Sequence, residues 1–335
     1  MVALVGRRLL LLLPVIFGVS LLTFVLSHVV PGDPARMLAG THAGEAQVQS
    51  VRHSYGLDRP LPAQYWAYIS NLAHGNFGTA LHTQRGVGED LRSFLPATLE
   101  LGLTAMVLAV VIGIPLGTLA AVGRNRLPDH LTRVLALCGV SLPIFWVALV
   151  GQLLLYYNLG LFPSGGRLDP TLAPPRGITG FYTIDSLVTG RLDLFVNSLW
   201  HLILPALVLS LGPLAIVMRI TRSGVLEALA KQYVRTARAK GVRRGNVVVR
   251  HALRNALLPT VTVVGLQFGY LLGGAVLVEY IFSWPGVGLY TAQSITASDY
   301  PAIMGVTIVV ALLYVVLNLL VDIGYALLDP RIRYR

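Results

Sequence analysis

The chain has a single cysteine, Cys138, set in an apolar run. One thiol supports neither a disulfide framework nor a cysteine-based metal site, and it reads as a small buried hydrophobe. Charge is also scarce. Only 12% of residues are Asp, Glu, Lys or Arg, about half the share in soluble domains. With 55% hydrophobic residues and a mean hydropathy of +0.69, this excludes an ordinary soluble domain and indicates a protein that crosses a membrane several times. No G-x-x-x-x-G-K-[ST] loop occurs, so the chain is not expected to hydrolyse ATP. There is no H-E-x-x-H, and the eight histidines are scattered without ligand spacing, so no metal site is expected. His201 reads as a structural residue, and no pattern pairs it with Ser141 as in a membrane protease. The polar residues in mid-span are few and neutral: Gln152, Gln267 and Asn318. That weakens a proton-coupled carrier without excluding it. Glu100, Glu279 and Asp322 lie near the ends of apolar runs, where structural roles are expected.

What is present is a series of long apolar runs. After Arg7 and Arg8, the run from Leu9 to Val30 is long enough to span about 30 Å of hydrocarbon, and no small-x-small cleavage site follows it. Residues 1–30 are thus leader and first span. Residues 31–95 form a polar insert with Tyr65, Trp66 and Tyr68 on one amphipathic helix, and residues 96–335 hold five further spans. These spans run over Pro96–Val122, Leu131–Tyr157, Asn197–Met218, Pro259–Tyr280 and Ala302–Ile323. Pro31-Gly32-Asp33-Pro34 ends the first span sharply. In the fifth span Gly265, Gly269 and Gly273 recur at four-residue spacing, a face on which another helix can approach closely.

The basic residues are unevenly placed. Residues 219–258 carry ten Lys or Arg against one acid, Glu227, whereas the loop from Ile281 to Tyr300 has no Lys or Arg. Six spans with both termini in the cytoplasm put eighteen bases inside and eight outside, as the positive-inside rule requires. The pI of about 10.1 therefore reflects membrane orientation, and nucleic acid is not an expected partner. Within the island, Tyr233, Arg235, Thr236, Ala237, Arg238, Ala239, Lys240 and Gly241 form a short helix with a natural stop at the glycine. A second helical run, Asn246 to Leu258, precedes Pro259. Basic charge here either only fixes orientation and meets lipid headgroups, or also serves a soluble partner.

Taken in order, many segments resemble one family, the permease subunits of ABC importers for dipeptides, oligopeptides and nickel. The similarity covers nearly the whole chain. It includes Pro31-Gly32-Asp33-Pro34, Tyr55-Gly56-Leu57-Asp58-Arg59-Pro60-Leu61-Pro62, Leu95-Pro96-Ala97-Thr98-Leu99-Glu100 and Tyr233 to Gly241. His251-Ala252-Leu253-Arg254-Asn255-Ala256-Leu257-Leu258-Pro259, Phe282-Ser283-Trp284-Pro285-Gly286, Asp299-Tyr300-Pro301, Asn318-Leu319-Leu320-Val321-Asp322 and Leu328-Asp329-Pro330-Arg331 complete it. In ABC importers generally the coupling motif opens with Glu-Ala-Ala. Arg235 stands at the acidic position here, and the stretch from Gly241 to Pro259 is longer, as in the peptide branch.

The resemblance implies an all-α, six-helix type I importer permease in a bacterial inner membrane. A second homologous permease would complete the pathway, with two ATP-binding-cassette subunits and an extracytoplasmic substrate-binding protein as partners. The chain itself would hold no cofactor and catalyse nothing, ATP and magnesium being bound by the ATPases. Residues 233–241 would couple to the ATPases, while Ser283, Trp284, Pro285, Gly286 and Asp299, with the Leu57 to Gly78 insert, would form the external face and gate. Di- or oligopeptides are the expected cargo, and nickel, glutathione or another small solute are alternatives within the family.

Overall fold

The computed structural model describes residues 14–25, 35–36, 43–54 and 56–328. Arg7, Arg8, Pro31-Gly32-Asp33-Pro34, the side chain of Asp322 and the C-terminal bases lie outside the described residues. The elements are helices α1 (Pro14–Val25), α2 (Glu45–Ser54), α3 (Leu61–Ala73), α4 (Val87–Val122), α5 (Leu127–Ser141), α6 (Ile144–Gly151, continued by a π-helical turn Gln152–Asn158), α7 (Tyr182–Val188), α8 (Leu192–Ala230) and α9 (Gln232–Ala239). Then come Arg244–Asn246 and a π-helical turn Val247–Leu253 leading into α10 (Arg254–Ile281), α11 (Val287–Thr296) and α12 (Tyr300–Leu328).

Among the described residues helices α4, α8 and α12 are long and apolar enough to cross a membrane, and the number is up to five if each of two bent pairs is one crossing. Pro14–Val25 is too short to cross by itself, and the rest of the first apolar run lies outside the described residues. At 39 residues, α8 is about 58 Å long at 1.5 Å per residue, nearly twice the hydrocarbon thickness. The helix that carries the fourth span therefore runs well beyond the expected Asn197–Met218, and Arg219, Arg222 and Glu227 sit on its extension. Likewise α4 begins well before Pro96, which lies inside it.

Three other expectations change. The third span is not straight: α5 and α6 meet at 106°. Pro143 stands at the bend, and the residue before it, Leu142, is extended at φ −80°, ψ 132°, the geometry a following proline favours. Conversely, the second basic helix does not end at Pro259, which lies inside α10. Cys138 is exposed rather than buried; it lies among the exposed Leu135 and Leu137 of α5, where a free thiol behaves as a small hydrophobe.

The chain divides into two units, Met1–Phe94 with Tyr290–Val316 and Leu95–Leu289 with Leu317–Arg335. In the first, α3 packs its aromatic face on α1. Tyr65 contacts Phe24 edge-on at 5.3 Å, and its hydroxyl lies 3.0 Å from that of Ser20. Trp66 on the other face is 74% exposed.

In the second unit α8 is central, with Leu202, Leu204 and Leu209 packed among Leu101, Met106, Phe268 and Leu271. Helices reach it closely through glycine. A Cβ at Gly117 would stand 2.5 Å from the carbonyl of Met218, and one at Gly139 2.9 Å from that of Leu211. Of the expected glycine face on α10, Gly265 makes such an approach, since a Cβ there would collide with the Val321 side chain of α12, whereas Gly273 is exposed with nothing within 4 Å of an added Cβ.

Candidate functional site

The short helix α9 stands beyond the apolar part of α8 and is amphipathic. Val234 and Ala237 turn inward onto Val247, forming a small cluster with Leu229 and Val242. Arg235, Thr236, Arg238, Ala239 and Lys240 are exposed, and Tyr233 is 41% exposed. The Tyr233 hydroxyl accepts a hydrogen bond from Asn255 Nδ2 at 3.1 Å, tying the start of α9 to α10. Gly241, at φ +76°, ends the helix, with its N–H donating to Arg238 and that of Val242 donating to Ala237. A left-handed residue at this point favours glycine. Among the described residues Arg235, Arg238 and Lys240 form no ion pair, so the helix offers unpaired positive charge around a buried apolar seam.

A brace ties the base of this region to α5. Asp129, fully buried, accepts from Arg222 Nε at 2.6 Å and Nη2 at 3.0 Å, from Arg133 Nη2 at 2.7 Å and from the Asn125 N–H at 2.8 Å. By sequence Arg222 is only one of the ten bases of residues 219–258, and Asp129 carries no expectation. Nothing in their separation of 93 positions marks them as partners.

At the other end of this unit, Trp284 is buried at 1% exposure and donates Nε1–H to the Ala97 carbonyl at 2.9 Å. Glu279, fully buried, accepts from the Thr98 hydroxyl at 2.7 Å and from the N–H groups of Gly288 and Leu289 at 2.6 and 3.0 Å. A Cβ at Gly286 would meet the Glu279 carboxylate and the Thr98 hydroxyl at 2.5 Å. Glycine is thus required for the loop to lie on its acid. Glu100 likewise accepts from buried Arg167 at 2.5 Å and from the Thr183 hydroxyl and N–H at 2.6 and 2.9 Å. The Arg167 guanidinium lies 3.6 Å above the Tyr182 ring. Both span-end acids hold loops down.

Nearby, burial pushes the Asp185 carboxyl up, but hydrogen bonds from the Thr179 hydroxyl and the backbone N–H groups of Thr179, Ile178 and Gly180 outweigh it and hold its pKa below 3.8. His201 contacts the Asn197 carbonyl and Asp169, not Ser141.

Asp299 belongs to the other unit and is also buried. It accepts from the N–H groups of Leu81 and His82 at 2.5 and 3.0 Å and from His82 Nδ1 at 2.7 Å, and it caps α12 through the Ala302 N–H at 3.2 Å. Trp284, Gly286 and Asp299 are therefore buried and Pro285 is half-buried, so of the five residues expected at an external face only Ser283, at φ +46°, is exposed.

Residues 113–334 match the family described as binding-protein-dependent transport system inner membrane component, and residues 1–88 match that family's N-terminal region. A probable D,D-dipeptide transport system permease protein of Escherichia coli is 51% identical over 318 residues, 95% of this chain and 94% of that one. A di/tripeptide transport system permease protein of Pseudomonas aeruginosa is 46% identical over the full length of both chains. A glutathione transport system permease protein of Escherichia coli is 40% identical over 98% of each. The chain belongs to the inner membrane components of binding-protein-dependent transport systems.

Proposed function

We propose from that membership that this chain is one half of the membrane pathway of an ABC importer for dipeptides and short oligopeptides. Its relatives named for dipeptides are 44–51% identical across the chain and the glutathione relative 40%, which favours a peptide over glutathione as cargo. Six spans would place both termini and α9 in the cytoplasm, on the positive-inside rule. A second permease completes the pathway, and an extracytoplasmic protein delivers the peptide, with Ser283 in one unit and the Leu57 to Gly78 insert in the other as separate candidate contacts for it. ATP and magnesium are held by two separate ATPase subunits, so hydrolysis falls to them and this chain needs no cofactor of its own.

The observation that carries the coupling role is the form of α9. It is a separate amphipathic helix, anchored by Val234 and Ala237 and showing Arg235, Arg238 and Lys240 without acid partners. Such a surface suits a cleft with acidic walls on a soluble protein. Its fixed connections, through Tyr233 to α10 and through Lys231 to α8, give a movement of α9 a rigid route into the spans. Closure of the ATPases would rock the bundle between two open states, the alternating access common to transporters.

The test is purification of the tagged chain in mild detergent with its partners, followed by reconstitution and measurement of labelled dipeptide uptake. Co-purification of a second multi-span permease and P-loop ATPases, with ATP-dependent dipeptide uptake, is the expected result. Recovery of the chain alone, or uptake driven by a proton gradient, overturns it. Gly241→Trp strains the helix end, since Gly241 lies at φ +76°, but its indole meets no neighbour there; the variant should still insert and should lose uptake because the bulk obstructs the proposed docking surface, and normal uptake by a well-expressed variant contradicts the coupling role.

A further inference from the structure

We propose, resting on the importer reading above, that the cavity at the break between α5 and α6 is a station for the peptide in transit, with the Gln267 carboxamide pairing to its backbone. The cavity has a volume of about 550 Å³, within the range of small-ligand sites. Ser141, Leu142 and Pro143 line one side, Leu209 and Gly212 of α8 another, and Gln267 and Tyr270 of α10 a third.

Three observations converge there. Non-helical backbone at membrane depth is tolerated only where protein buries it or where it lines a watery cavity, and the one extended break inside a described span is Leu142–Pro143. The last carbonyls of α5 and the first N–H groups of α6 therefore open beside the cavity. Pro213 in α8 also lacks an N–H for the carbonyl of Leu209. Finally, Ser141, Gln267 and Tyr270 make no side-chain hydrogen bond to other described residues. Polar groups facing lipid in that state would be costly, so an aqueous path is where they belong.

The lining narrows the occupant. It contains no Asp, Glu, Lys, Arg or His, so it suits neither a metal cation nor an isolated anion. A carboxamide both donates and accepts, the same pattern that a peptide unit presents whatever its side chains. Apolar walls take varied side chains without reading them. The carbonyl end of α5 and the N–H end of α6 offer weak partial charges of opposite sign to the ammonium and carboxylate of a short peptide. Such a site holds many peptides weakly, as a pathway must if cargo is to leave again.

The experiment uses the assembled transporter, with its partners and binding protein, in proteoliposomes, and L-alanyl-L-alanine as the probe. Gln267→Leu removes the amide at similar size. Gly212→Leu fills the cavity at a position where a Cβ meets nothing within 4 Å, with a residue that favours the helix. Dialanine uptake should fall about 3- to 10-fold in Gln267→Leu, as expected for one neutral hydrogen bond, and at least about 10-fold in Gly212→Leu. Binding-protein-stimulated ATP hydrolysis should stay within about twofold of wild type in both, because α9 and the ATPases are untouched.

Wild-type uptake by both variants, or loss of hydrolysis in step with uptake, overturns the station. Failure of the wild-type complex itself to import dialanine refutes the peptide reading instead. As an independent measurement on the unaltered chain, a diazirine-bearing dipeptide should label residues 139–144 or 267–274. Labelling only elsewhere overturns the assignment even if a variant fails to assemble.

Discussion

Replacing Glu279 with alanine removes the acceptor of three largely buried donors at once, the Thr98 hydroxyl and the N–H groups of Gly288 and Leu289. Each buried donor left unpaired costs about 1–3 kcal/mol. Burying a carboxylate is itself costly, and that cost disappears with the side chain. The low end is therefore appropriate, about 1 kcal/mol per donor and about 3 kcal/mol in all. At about 1.4 kcal/mol per factor of ten, the open form of the loop over 283–289 becomes about 100-fold more populated. Amide hydrogen exchange of the purified complex, read by mass spectrometry on peptides covering this loop, should show that acceleration at Gly288 and Leu289. Glu279→Gln keeps one oxygen for the two amides and turns its NH2 group toward the Thr98 oxygen, which already accepts from Val287 at 2.8 Å. Its acceleration should stay below about tenfold, since at most one hydrogen bond is weakened. An alanine variant exchanging no faster than wild type would refute the clasp.

Three further tests address other contacts. Asp129→Ala and Arg222→Ala should each lower the melting temperature of the complex clearly, because breaking a buried pair costs about 3–5 kcal/mol, and their effects should not add; strict additivity would show that the pair does not act as a unit. Arg133→Ala should matter less, because that arginine is 50% exposed. Asp185 has a folded pKa below its ordinary 3.8, so its contribution is present above that pH and lost as pH falls from there through the lower folded value. The exchange difference between wild type and Asp185→Asn over residues 178–180 should therefore be clear near neutrality and shrink below about pH 3.8; an unchanged difference in acid would contradict the bonding. Gly265→Ala should reduce the yield of folded protein by forcing α10 and α12 apart at Val321, overpacking of this kind costing about 1–3 kcal/mol, whereas Gly273→Ala should leave yield unaltered. Equal yields for the two glycine variants would remove the close approach.

The amino-acid sequence by itself determined the class of molecule, the location of the apolar segments and the existence and end of α9. Hydrophobic transfer and the bias of Lys and Arg are sums over neighbouring residues, so they can be read without knowing the fold. The stop at Gly241 was legible for a similar reason, since a left-handed residue after a helix is a local requirement. The tertiary structure decided what depended on distant partners. Pro96, Pro115, Pro205, Pro213 and Pro259 all sit inside helices, while Pro143 stands in the break between α5 and α6. A helix keeps or loses its course at a proline according to what its neighbours supply, and no local signal separates these cases. Gly265 and Gly273 share a face by spacing, but only Gly265 has a helix against it. Asp129 with Arg222, and Glu279 with Thr98 and Gly288, show the same limit. A buried charge is tolerated only where the fold brings donors to it, and those donors are set by packing rather than by position along the chain.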